Sequence, residues 1–193
     1  MTMNKFTDPV AMLLAVHDIQ QVVYKYAIAI DTREIDLLDE CFAKDGKFHM
    51  ADAGVFSCEE YKALCRKVLP ALDATQHVVG PPMIEIEGDT AVSRSYFIAQ
   101  HARNSLAPNP LLLIGGWYDD EFTRIDGQWR ITKRIGTPAW YDGNPAVLGD
   151  SNTPGGLKWS AYRNCPLWLL GGGERGNKES WLFEYKSDRK PPS

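Results

Sequence analysis

Asp31 and His77 are the residues of this chain that could do chemistry together. Asp31 closes the mostly apolar run VVYKYAIAID over residues 22–31, and His77 stands among β-formers in Thr75-Gln-His-Val-Val79. A carboxylate that accepts a hydrogen bond from one imidazole nitrogen fixes the tautomer and leaves the other nitrogen free to take a proton. Taken singly, each residue has a plainer reading: His77 as a satisfied core or edge histidine, Asp31 as a helix-end turn residue. An acid at the negative end of a helix dipole is mildly unfavourable, however, which points to a specific partner for Asp31.

The elements that must position this pair are legible in outline. Asp8-Pro9 reads as an N-cap followed by proline at the first helical position. Leu13, Val16, Ile19, Val23, Tyr26 and Ile30 then recur at steps of three and four, which predicts a long helix with Asp31 at its C-terminal end. A second helix is expected over residues 34–43, stopped by Asp45-Gly46, and a first strand over 47–52. Ser57 with Glu60 makes a capping box for a third helix over 58–69. Extended segments follow at 76–79, 83–87, 91–103, 111–124 and 128–135, separated by Pro-Pro, Gly88-Asp89, Pro108-Asn109-Pro110 and Asp126-Gly127. Helices first and an antiparallel meander after them make an α+β arrangement.

The chain has 193 residues, 44% of them hydrophobic, enough for one domain with a sizeable core. A net charge of −4 with no basic run gives no footprint for nucleic acid or an anionic membrane surface. No apolar run approaches the roughly 20 residues that span a bilayer. Cys41, Cys58, Cys65 and Cys165 form no CxxC pair and no basic-then-apolar leader is present, so a cytoplasmic protein with reduced thiols is expected. From Gly136 onward prolines and Gly171-Gly172-Gly173 break up any long element, yet Trp159, Trp168 and Trp181 recur. A disordered tail would be poor in such residues. We therefore expect a domain over 1–140 and an extension over 141–193 that packs on a pocket mouth or a neighbouring subunit.

Strand alternation sorts the later residues by face. Ser93, Ser95, Phe97, Ala99 and His101 share one side; Leu112, Ile114, Gly116 and Tyr118 share another; Arg130, Thr132 and Arg134 alternate with Trp129, Ile131 and Lys133. A curved sheet with a helix across its concave face would bring Asp31, His77, His101 and Arg134 into one cavity. The ordinary readings are a polar strand residue for His101, a solvated sheet face for Arg134 and a core aromatic for Tyr26. His49, His77 and His101 on three expected strands are the set that could ligate zinc or iron, but H-x-H and H-E-x-x-H spacings are absent. So are the G-x-S-x-G elbow, the P-loop and G-x-G-x-x-G.

Ile19-Gln20, Tyr26, Asp31, the turn over 42–48, Thr75-x-His77 and Gly127-x-Trp129-x-Ile-x-Lys133-Arg134 together resemble the SnoaL-like branch of the nuclear transport factor 2-like superfamily, over residues 10–135. The resemblance implies a cone: a curved, mostly antiparallel sheet wrapped around N-terminal helices, enclosing an apolar pocket. In the family's lyases an Asp on the first long helix holds a proton-abstracting His, positions that Asp31 and His77 occupy. Tyr26 stands where the dehydrochlorinase pattern has lysine and a dehydratase pattern has tyrosine, and Arg134 stands where a pocket arginine is found. Ile30 departs from the tyrosine that one dehydratase carries directly before its Asp. The resemblance thus implies a cofactor-independent, dehydratase-like lyase. His77, Asp31, Tyr26 and Arg134 would be catalytic. His101, Phe48, Leu72, Ile114 and Tyr118 would contact a hydrophobic cyclic substrate such as a steroid, a polyketide or another ring compound. No metal or organic cofactor is implied, and a homodimer or homotrimer is. An isomerase or polyketide-type cyclase using the same dyad, and a non-catalytic ligand-binding or assembly subunit, are the alternatives.

Overall fold

The computed structural model describes residues 8–149, 156–159 and 162–164. Helix α1 spans Pro9–Thr32, with the Asp8 side chain accepting from the Val10 N–H. Ile19, Val23, Tyr26 and Ile30, spaced four, three and four apart, are its buried stripe. Leu13 belongs to the same sequence pattern but is exposed, as are Val10 and Leu14, because the buried stripe begins only at Ala15. A 3₁₀ turn over Ile35–Leu37 leads into the four-residue α2, Leu38–Cys41, where sequence pattern predicts a longer helix.

Strand β1 starts earlier than expected, at Phe42–Met50, because Asp45-Gly46 does not stop a helix but sits inside the strand. Its register against β7 shifts between Phe42 and Lys47. A Cβ on Gly46 would stand 2.7 Å from the Ile131 carbonyl oxygen and 2.9 Å from that of Ala43, so only glycine allows this approach. Strand β2, Gly54–Ser57, pairs back on β1 and ends in the capping box of α3, Cys58–Val68, where Ser57 and Glu60 exchange hydrogen bonds.

The remaining strands are β3 Ala74–Val79, β4 Met83–Glu87, β5 Thr90–Ala102, β6 Leu111–Ile125 and β7 Gln128–Gly143, with the short β8 Arg163–Asn164 against β7. They form one curved, open sheet in the order β2-β1-β7-β6-β5-β3, with β4 on the same edge of β5 as β3. The sheet is mixed rather than wholly antiparallel, since β1 and β7 run parallel. The fold is α+β, with α1 and α3 on the concave side. Trp129, Ile131, Leu112 and Phe122 are buried beneath the helices with Ile19, Val23 and Leu38. Full burial stabilises aliphatic side chains of this size by about 1.5–3 kcal/mol each.

Strand β7 outruns the expected end at 135 and passes through Pro138, which lies opposite Gly116 beside a register shift at Gly115/Gly116. An irregular ladder tolerates a residue without an N–H. The expected boundary after residue 140 therefore falls inside β7. Beyond it, Val147, Leu157 and Trp159 are buried. The Trp159 Nε1–H donates to the Gly149 carbonyl at 2.6 Å, and the Tyr162 hydroxyl donates to Asp52 at 3.0 Å. Trp168, Trp181 and the triple glycine lie outside the described residues. No helix among the described residues is long and apolar enough to cross a membrane.

Candidate active site

The last turn of α1 and the start of β3 are tied together at Arg33. It terminates the helix in the left-handed region (φ 64°), and its Nη2 donates to the Leu72 carbonyl at 2.6 Å. This sets Asp31 opposite the alternate residues Thr75 and His77, which share one face of β3. The carboxylate accepts three hydrogen bonds: from the Thr75 hydroxyl at 2.9 Å, from the His77 backbone N–H at 2.6 Å, and from His77 Nδ1 at 2.7 Å. Partial burial works to raise the Asp31 pKa. The hydrogen bonds from His77 and Thr75 outweigh it and hold the carboxyl below its ordinary range. An ionised carboxylate only accepts, so Nδ1 carries the proton of this contact, and in the neutral ring the lone pair is on Nε2.

His77 lies in the wall of a cavity of about 150 Å³ between the helices and the concave face of the sheet. Tyr26, Phe48, His101, Ile114 and Tyr118 also line it. Leu72 does not: it is buried behind the wall, and its carbonyl serves Arg33. His101, on β5, presents its ring edge-on to His77 with centroids 5.5 Å apart, and its Nδ1 has no partner. Burial, followed by the neighbouring imidazole, pushes the His101 pKa down to about 3, so this ring is neutral at ordinary pH.

Arg134 stands behind the wall rather than in it. It is fully buried, and its Nε and Nη2 donate to the two oxygens of Asp120 at 2.7 and 2.6 Å. The guanidinium carbon lies 4.1 Å from the Tyr26 ring centroid and 4.4 Å from that of Tyr118, so the two phenols sheathe the cation. Burial alone would favour loss of this charge, but Asp120 outweighs it and keeps the guanidinium protonated. Between Ile131 and Arg134 the inward-outward alternation of β7 slips by one residue, at the register shift beside Glu121/Phe122. That slip turns Arg134 inward with Trp129 and Ile131 instead of leaving it on the face of Arg130.

Sequence reasoning missed Tyr61. Its hydroxyl lies 2.7 Å from that of Tyr26, and both rings are buried in the cavity wall. Burial, as the largest cause, raises both phenol pKa values well above 10 and pushes Tyr118 up to about 12, so all three remain neutral hydroxyls able to donate. The signal was present in α3, where Tyr61, Leu64, Cys65 and Val68 recur at helical spacing and all four line the cavity. Leu148 and Leu157, from beyond the expected domain, also line the cavity. Among the described residues, no three His, Cys, Asp or Glu side chains are grouped as metal ligands.

Residues 11–135 match the SnoaL-like domain family. This chain belongs to that family. A Mycobacterium tuberculosis protein without an assigned function is 30% identical over 131 residues, covering 62% of this chain and 82% of its own length. Among solved structures, the hexachlorocyclohexane dehydrochlorinase LinA-type3 from Novosphingobium barchaimii superposes with a TM-score of 0.65 at 19% identity, covering 72% of this chain and 97% of that one. A nuclear transport factor 2-like superfamily protein from Salmonella enterica gives a TM-score of 0.59 at 15% identity, covering 66% and 92%. These likenesses establish a SnoaL-like, nuclear transport factor 2-like fold, one shared by proteins that convert small molecules.

Proposed function

We propose that this SnoaL-like chain is a cofactor-independent lyase in which His77, oriented by Asp31, removes a carbon-bound proton from a hydrophobic cyclic substrate and a small leaving group such as water departs. The observation that carries this reading is the 2.7 Å Nδ1–carboxylate contact on an imidazole whose ring borders the cavity. Asp31 holds the ring and stabilises the imidazolium that forms. Tyr26, a neutral phenol, donates to the developing enolate or to the departing hydroxyl. Arg134 acts through the Tyr26 and Tyr118 rings rather than by touching the substrate, and His101 offers a neutral imidazole across from His77. Isomerisation and ring closure begin with the same proton removal. In an elimination, the neutral donors of the cavity wall can protonate a leaving oxygen.

The likeness to a dehydrochlorinase supports the class of reaction without naming the substrate. Exposed Val78, Ile98 and Tyr96 on the outer face of β3 and β5 support the further reading that copies of the chain associate through this side of the sheet. Proton abstraction can be followed without the physiological substrate, by NMR of deuterium uptake at the acidic carbons of cyclohex-2-enone in D₂O. The protein is expected to accelerate exchange, and His77→Ala and Asp31→Asn to lower that rate about 10²- to 10⁴-fold with the fold intact. Exchange in His77→Ala at the rate of the parent would refute the base.

A further inference from the structure

The cavity's size, its lack of charge and one hydroxyl pair in its wall narrow what can occupy it. Its volume of about 150 Å³ is that of an engineered apolar cavity that takes up one benzene ring, about 150 Å³. Pockets for drug-sized ligands run to roughly 300–1,000 Å³. A single six-membered ring matches this volume, whereas a four-ring steroid would extend beyond it.

Among the described residues, no Asp, Glu, Lys or Arg side chain lines the cavity. Arg134, a nearby cation, is ion-paired with Asp120 and covered on its ring-facing sides by Tyr26 and Tyr118. An ammonium entering the cavity would lose its hydration without meeting a countercharge, and a carboxylate would meet only the His77 ring, which Asp31 already pairs. Tyr26 and Tyr61 supply polarity of another kind. Each hydroxyl has one proton, and the bond between them at 2.7 Å consumes one of the two. The other is open to a ligand from whichever phenol accepts within the pair, where the ligand competes with Tyr118 beside Tyr26 and with the Cys65 thiol beside Tyr61.

We infer that the cavity takes an uncharged single-ring compound whose carbonyl or hydroxyl oxygen accepts the free proton of the Tyr26–Tyr61 pair. This makes Tyr61 a substrate-contacting residue alongside Tyr26. The inference shares its cavity with the lyase reading proposed above and deepens it by naming the substrate class, but it concerns binding, which does not need the proton to move.

The test is calorimetric titration of the full chain with cyclohex-2-enone, cyclohexanecarboxylate, testosterone and benzene. The enone is expected to bind, the carboxylate to bind at least about 10-fold more weakly, and testosterone not to bind. Removing both phenol hydroxyls in Tyr26→Phe/Tyr61→Phe should weaken the enone by about 3- to 10-fold, the usual range for one hydrogen bond, and leave benzene unchanged. Tyr61→Phe alone should cost less than the double change, because Tyr26 then offers its own proton. It also keeps the test open if the double variant does not fold. Carboxylate or testosterone binding as tightly as the enone would overturn the inference, as would no enone binding at all or an unchanged affinity in the double variant. Enone binding that persists in His77→Ala while deuterium exchange is lost fits both proposals. Enone binding without exchange in the parent protein would sink the lyase reading alone.

Discussion

Two imidazoles 5.5 Å apart behave differently because their neighbours differ. His77 has a carboxylate on Nδ1, whereas His101 has an unpartnered Nδ1 and burial that pushes its pKa down to about 3. In the unfolded chain His101 takes a proton near pH 6.5. Between about pH 6.5 and 3 the unfolded state therefore holds the extra proton, and stability falls as the solution is acidified. The slope is at most about 1.4 kcal/mol per pH unit for this one site. Urea titrations from pH 7 to 4 should show that decline, and His101→Phe should flatten it. Asp31 works in the same direction but in a lower window: its stabilisation is present above the ordinary carboxylate range and is lost as pH falls through its depressed pKa. At this scale the sequence was most informative for Asp31 and His77, because an acid at a helix end and a histidine two residues after Thr75 are local patterns. Tyr61 escaped notice because an aromatic on an amphipathic helix has the same pattern whether it faces a solid core or a cavity.

The element that most affects the site is β7, whose slip in alternation between Ile131 and Arg134 decides which side chains reach the interior. Strict alternation places Arg134 with Arg130 and Thr132, and only the pairing with β6 reveals the extra residue. Bulges of this kind depend on two strands at once, so one strand's sequence does not display them. The same reasoning covers β1: Asp45-Gly46 reads as a helix stop until Ile131 is placed against Gly46. By contrast, the Asp8 cap, the Ser57–Glu60 box and the turns at Gly88 and Asp126-Gly127 are self-contained signals, and the elements they bound were legible. The inward turn of Arg134 has an energetic consequence. Arg134→Met would leave Asp120 buried without its partner, at a cost of about 3–5 kcal/mol. Pairing it with Asp120→Leu, which removes both charges, should recover much of that loss. Chemical denaturation of the single and double variants checks this, and a double variant no more stable than Arg134→Met would contradict it.

At the scale of the whole molecule, the cavity belongs to no single segment: α1, α3, β1, β3, β5, β6, β7 and the stretch holding Leu148 and Leu157 each contribute to its wall. Its outer counterpart is the apolar patch of Val78, Tyr96 and Ile98. If copies associate there, Ile98→Glu should lower the molar mass measured by light scattering at unchanged helix and strand content; an unchanged mass would place any association elsewhere. The parallel pairing of β1 with β7 also bears on the order in which the molecule assembles. Hairpin β6–β7 closes over the Asp126-Gly127 turn and β5–β6 over the loop 103–110, whereas Phe48 meets Arg134 from about 86 positions away. Closing so long a loop is entropically costly and is slow compared with local pairing. During refolding, most of the sheet can therefore form while the chamber is still unfloored, exposing Phe122, Ile131 and Leu112 to water. Stopped-flow refolding should show far-ultraviolet signal rising before enone binding. Over that interval the nascent chain would have a hydrophobic sheet surface and no enclosed cavity, the period when it is most exposed to aggregation.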